Sequence, residues 1–127
     1  MTKFTKDGKA LAKEQCIALR IFHGIYGYYY KPEYEEANEL DRELIENPDF
    51  IKDLFSVVYG LQSPCGEILL RRMSMMSYDD IADELGISSA KARSYENQAW
   101  RNLRHPKRSK LLKHYTEDFE KLREKEV

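Results

Sequence analysis

Apolar positions recur along most of this chain at intervals of three and four residues, the spacing that places them on one face of a helix. Within residues 8 to 23, Leu11, Cys16, Leu19 and Phe22 follow it, and Gly24, Gly27 and Pro32 then predict an interruption around the run Tyr28, Tyr29, Tyr30. A second helix is expected over residues 34 to 46, with Ala37, Leu40 and Leu44 on one side. The sequence NPDF at residues 47 to 50 reads as a helix start. Asn47 can accept from amides of the first turn, and Pro48 sits where its missing N–H costs nothing. Phe50, Ile51, Leu54, Phe55 and Val58 then form an apolar side, Gly60 and Pro64 break the pattern, and EILLRRM gives a shorter helix. Toward the end, Leu111, Leu112, Tyr115, Phe119 and Leu122 predict an amphipathic helix running nearly to Val127. Its apolar stripe is expected to face the core or, failing that, a partner helix.

No strand alternation persists and no internal repeat is present, so the expected fold class is all-α, a helical bundle. It divides into an acidic N-terminal helical segment, residues 1–60, with a packing or partner-binding role, and a C-terminal segment, residues 61–127. The second contains the most informative pattern, SYDDIADELGISSAKARSYENQA at residues 77 to 99. Ser77 and Asp80 have the S-x-x-D spacing of a capping box. Ile81 and Leu85 share a face with the small Ala82 between them, and Gly86 can take the positive φ that ends a helix in a sharp turn. Ile87 then points to the core and Ser88 can cap the next helix. That helix turns Ala92, Tyr95 and Ala99 inward and leaves Ser89, Ala90, Lys91, Arg93, Ser94 and Asn97 outward. Two helices, a small residue at their contact and a glycine turn form a helix-turn-helix, whose second helix can enter the DNA major groove. The same spacing also describes an ordinary corner between two helices.

Charge changes that balance. The formal net charge is −1 and the pI about 6.3, but the total conceals a division. Residues 33 to 54 hold nine acids and two bases, whereas residues 89 to 115 hold eight bases and one acid. The stretch AWRNLRHPKRSKLLKHY has six cations, Arg101, Arg104, Lys107, Arg108, Lys110 and Lys113, and no acid. Such asymmetry favours a polyanionic partner over a self-neutralising surface. A helix C-terminus attracts cations through its dipole, which accounts for Arg101 and Arg104 but poorly for the bases beyond Pro106. The tyrosine run sits next to the acids of YEEANELDRE, which oppose a nucleic-acid backbone. Its expected role is therefore packing or a protein contact rather than base stacking.

Other chemistry is excluded by absence. With 127 residues, six glycines and four prolines, the chain suits one compact helical domain, with or without an appendage. Its two cysteines, Cys16 and Cys65, make neither a CxxC pair nor a ligand cluster, and His105 has no Cys or second His at metal spacing. A reduced, cytoplasmic protein is expected, with no metal and no cofactor. The first fifteen residues are too polar for a signal peptide, and no apolar run approaches the ~20 residues that span a bilayer. No paired carboxylates in an apolar setting and no nucleophile–base motif point to an enzyme.

Residues 61 to 115 resemble region 4 of the bacterial sigma-70 family of RNA polymerase sigma factors. The resemblance rests on the close of the helix, A-W-R-N-L-R-H-P-K-R-S-K-L-L, which is similar to the family's A-L-R-K-L-R-H-P-x-R-S, and on LQSPCGEILLRRM, which looks like the preceding helix in shortened form. It implies a helix-turn-helix that reads the promoter −35 element in double-stranded DNA with the start of its second helix. Ser88, Ser89, Ala90, Lys91, Arg93 and Ser94 occupy those positions, with Asn97 outward beyond them. Arg72 and Ser77 lie where the family touches the DNA backbone. Arg101, Arg104 and Arg108, with Lys107 beside them, lie in the family's basic patch for nearby DNA and upstream activators. The family commonly has Arg-Glu-Arg where this chain has Ser89, Ala90 and Lys91, and Gln where Ser94 stands. Ala90 can neither accept from cytosine nor grip guanine, so an altered −35 preference is expected, with affinity retained through charge.

The same resemblance implies binding to RNA polymerase, since region 4 docks the flap of the β subunit. Nothing in the first sixty residues looks like region 2, so a second chain supplying region 2 is expected for a complete factor. These features suit a bacterial or phage-borne transcription regulator. The alternative is a sigma mimic or anti-sigma-like protein that binds polymerase or a sigma factor with little direct DNA contact.

Overall fold

The computed structural model describes residues 13–27 and 39–117. The expectations for Leu11, Ala37, the tyrosine run, Phe119 and Leu122 fall outside these residues, as does the side chain of Leu40. Among the described residues there are seven α-helices and one 3-10 helix, and no strand. The helices are α1 (Lys13–Tyr26), α2 (Glu39–Ile45), α3 (Pro48–Tyr59), α4 (Cys65–Met73), α5 (Tyr78–Leu85), α6 (Ser89–Arg104) and α7 (Pro106–Ser109). The 3-10 helix spans Lys113–Thr116.

The main core gathers Leu19, Ile21 and Phe22 of α1, Leu44 and Ile45 of α2, Phe50, Leu54 and Val58 of α3, Leu69 of α4, Ala99 and Leu103 of α6, and Leu112. It draws on both sides of residue 60, so the two segments share one apolar interior. Each large side chain buried there contributes roughly 1.5–3 kcal/mol by leaving water. Phe50 meets Phe22 edge to face at 5.4 Å and Tyr115 at 5.2 Å, a geometry that aligns ring edges with π faces. A smaller cluster of Ile68, Ile81 and Ala92 closes the space between α4, α5 and α6.

Local chemistry explains most element ends. Asn47 accepts from the Asp49 amide at 2.9 Å, with Pro48 in the first turn of α3. Gly27 ends α1 at φ 72°, and its amide donates to the His23 carbonyl at 2.8 Å. Gly24, expected to interrupt the chain, is instead helical, inside α1. A side chain there would collide with the indole of Trp100, whose Cη2 lies 2.4 Å from the Cβ position. The glycine therefore serves close approach of α6 to α1 rather than a break. Farther along, α1 and α2 are joined by a buried pair, His23 Nε2 and Asp41 Oδ1, at 2.7 Å.

The C-terminal part departs from its expected form. No continuous helix runs through Leu111, Leu112 and Tyr115; α7 is a single turn, followed by turn residues and the 3-10 helix. Leu112 is fully buried whereas Leu111 is exposed, so the two do not belong to one inward stripe. Tyr115 sets this geometry by packing on Phe50 while its hydroxyl donates to Asp53 Oδ2 at 2.7 Å. His105 is exposed and caps α7: its Nδ1 accepts from the Lys107 amide at 3.2 Å.

Candidate nucleic-acid interface

Three residues connect α5 to α6, and their chemistry fixes where α6 begins. Ser77 accepts from the Asp80 amide at 3.1 Å and so opens α5. Gly86 stands at φ 69°, ψ 36°, in the left-handed region, and lets the chain reverse after Leu85. Ile87 then packs against the cluster of Ile68, Ile81 and Ala92. Ser88 accepts from the Lys91 amide at 3.1 Å and starts α6. The sixteen residues of α6 form a rod about 24 Å long.

This helix has two sharply different sides. Ala92, Glu96, Ala99 and Leu103 are buried, and Ala90, Ser94, Asn97 and Arg101 are exposed. The two sets follow the same three-and-four spacing half a turn apart. Small uncharged groups occupy the centre of the outward side for its first three turns. Lys91 and Arg93, both exposed, flank that strip.

Glu96 is the single acid of the basic region, and it is turned inward, 8% exposed. Its Oε1 accepts from Arg72 Nε at 3.3 Å and from the Tyr78 hydroxyl, and its Oε2 accepts from Trp100 Nε1 at 2.9 Å. Arg72 also donates to the Met76 carbonyl at 2.8 Å and lies over the Tyr78 ring, 4.1 Å from its centre. One carboxylate thus ties together α4, the start of α5 and the middle of α6. The bond to Glu96 and burial push the Tyr78 pKa up, leaving its hydroxyl a donor throughout the neutral range.

The expected site residues separate into groups. Ala90, Lys91, Ser94, Asn97 and Arg101 form one exposed surface on α6, with Arg93 at its margin, where its guanidinium lies 4.9 Å from the centre of the Tyr78 ring. Lys107 is exposed and Arg108 half-buried on α7. The hydroxyls of Ser77 and Ser88 are engaged as helix caps, and Ser89 donates to Asp79 Oδ1. Arg72 bonds the inward side of α6 through Glu96 rather than standing out as a cation. Arg104, although exposed, donates twice to the Gly24 carbonyl, at 3.3 Å from Nε and 2.9 Å from Nη2, and lies over the Trp100 ring. It closes the end of α1, where carbonyls lack helical partners.

Glu96, Tyr78 and Trp100 were not among the residues singled out from the sequence. A signal for Glu96 exists: it lies four residues after Ala92 and three before Ala99, in register with the buried face. Beside α6, the exposed side of α5 presents Asp79, Asp80, Asp83 and Glu84; Glu84 pairs with Arg71 at 3.0 Å. Among the described residues no group of three or more His, Cys, Asp or Glu side chains is arranged to hold a metal ion, and no helix is long and apolar enough to cross a membrane. Comparison of the chain with protein-family profiles, with curated proteins and with solved structures returns no match.

Proposed function

We propose that this chain is a sequence-specific, duplex-DNA-binding transcription regulator in which α5 and α6 act as a helix-turn-helix like that of sigma region 4. One observation carries the reading: the only acid in the basic region, Glu96, is buried, so the outward side of α6 and α7 bears cations unopposed by acids of its own. Lys91, Arg93, Arg101 and Lys107 are exposed cations on α6 and α7 suited to phosphates. The resemblance of residues 61 to 115 to region 4 adds RNA polymerase as a protein partner, and a second chain as the source of region 2.

A salt series on purified protein and duplex DNA tests this. Four phosphate contacts give a log–log slope of about −3.6. Charge reversal of Lys91 and Arg93 together should flatten it by roughly two and weaken binding on every sequence. Absence of binding at both low and moderate salt removes the reading.

A second reading is favoured by a specific feature, the acids Asp79, Asp80, Asp83 and Glu84 on α5, the helix that crosses the DNA backbone in a helix-turn-helix. A sigma mimic that binds polymerase or a sigma factor with little DNA contact would present such a face without penalty. Polymerase capture that survives Lys91→Glu/Arg93→Glu, in a protein without DNA affinity, selects this alternative.

A further inference from the structure

The outward strip of α6 differs in chemistry from the cations around it. Ala90, Ser94 and Asn97 are exposed at the centre of the face presented to solvent, opposite the buried Ala92, Glu96 and Ala99. Ser89, next to Ala90, is bonded to Asp79, and Ser88 caps the helix. Arg93 is drawn aside against Tyr78. What remains at the centre is a methyl group, a hydroxyl and a carboxamide, with no acid and, before Arg101, no cation.

These three groups have distinct partners in a major groove. A carboxamide matches adenine, accepting from N6 and donating to N7; an alanine methyl packs against the C5-methyl of thymine; a hydroxyl serves any base. None of them selects guanine, which calls for Arg or Lys, or cytosine, which calls for a carboxylate. Asn97 lies seven positions after Ala90, about 10.5 Å along the axis, or about three base-pair steps of 3.4 Å.

We infer that α6 reads A·T pairs: Ala90 contacts the methyl group of a thymine, Asn97 pairs with an adenine about three steps away, and Ser94 leaves the intervening position permissive. The inference rests on the DNA-binding reading above and adds to it the chemical class of site. Lys91, Arg93 and Arg101 then supply phosphate contacts, which hold the helix in register and carry no sequence information.

Selection from randomised duplexes with the full chain tests this, followed by titration of the recovered site. The expected result is a thymine and an adenine about three positions apart. Asn97→Ala should lose preference at the adenine alone, by about tenfold to a hundredfold. Ala90→Glu should exchange the thymine for cytosine. Replacing that thymine by uracil, which removes only the methyl group, should weaken the wild-type protein and leave Ala90→Glu indifferent. Both residues are exposed, and far-ultraviolet circular dichroism confirms that each variant keeps its helices. DNA recovered without A·T preference, or an unchanged selection by Asn97→Ala, overturns the inference while DNA binding stands. Recovery of no DNA by the wild-type chain overturns both.

Discussion

Truncation of Glu96 to alanine is the sharpest test of how α6 is held. Three donors lose their acceptor: Arg72 Nε, the Tyr78 hydroxyl and Trp100 Nε1. Breaking a buried ion pair by removing one partner costs about 3–5 kcal/mol. The Arg72 side chain is 29% exposed and retains its bond to the Met76 carbonyl, so the lower end applies, about 3 kcal/mol. Glu96→Gln keeps the shape and one acceptor oxygen but removes the charge facing Arg72, for about 1–2 kcal/mol. In a chain of this size a loss of 3 kcal/mol lowers Tm by about 10 °C. Urea unfolding followed by circular dichroism gives the free energies. Trp100 is the single tryptophan and bonds Glu96 directly, so its emission reports the local change. A Glu96→Ala variant within about 0.5 kcal/mol of wild type, the range of an ordinary surface change, with unaltered Trp100 emission, would refute the assigned role.

Two glycine substitutions separate packing from backbone strain. Gly24→Ala drives a methyl group into the Trp100 indole and should cost about 1–3 kcal/mol by overpacking, read as a lowered urea midpoint. Gly86→Ala meets nothing within 4 Å but holds φ at 69°, so about 1–2 kcal/mol is expected from conformation alone. Asn47→Ala removes the α3 cap and should cost about 1 kcal/mol, measurable by the same denaturation. Burial pushes the Tyr26 hydroxyl up to about 12 and, with Asp53 second, raises Tyr115 as well. A folded-state pKa above the unfolded value of about 10 contributes stability that is complete below pH 10 and is lost as pH rises toward 12. Absorbance at 295 nm should therefore show a late tyrosine fraction that ionises together with loss of helix; a titration complete before unfolding contradicts this.

What could be read from the chain was what acts locally. Asn47, Ser77, Gly86 and Ser88 set helix ends through their own side chain or φ, so neighbouring residues suffice to place them. Inward positions such as Ala92 and Ala99 follow from period alone. What escaped depends on partners far away in sequence. Gly24 looks like a helix breaker until Trp100, seventy-six positions later, is seen against it. Arg72 and Arg104 read as available cations, but their guanidinium groups meet Glu96 and the Gly24 carbonyl. Leu111 and Leu112 are equivalent in hydropathy, and which of them is buried depends on how the fold brings this segment against the core, where Tyr115 packs on Phe50.

The contact between Arg104 and Gly24 also imposes an order in time. Its two ends lie 80 residues apart, and at 5–20 residues per second a ribosome needs about 4 to 16 seconds to make the intervening chain. During that interval α1 has neither the Trp100 indole beside Gly24 nor the guanidinium that closes its last turn. The helix proposed to read DNA is thus anchored to a segment made 80 residues before its own last turn, and the pair can close only after Arg104 has been added. Sequence changes that keep α1 soluble while it waits would raise the yield of protein without altering the stability of the finished fold.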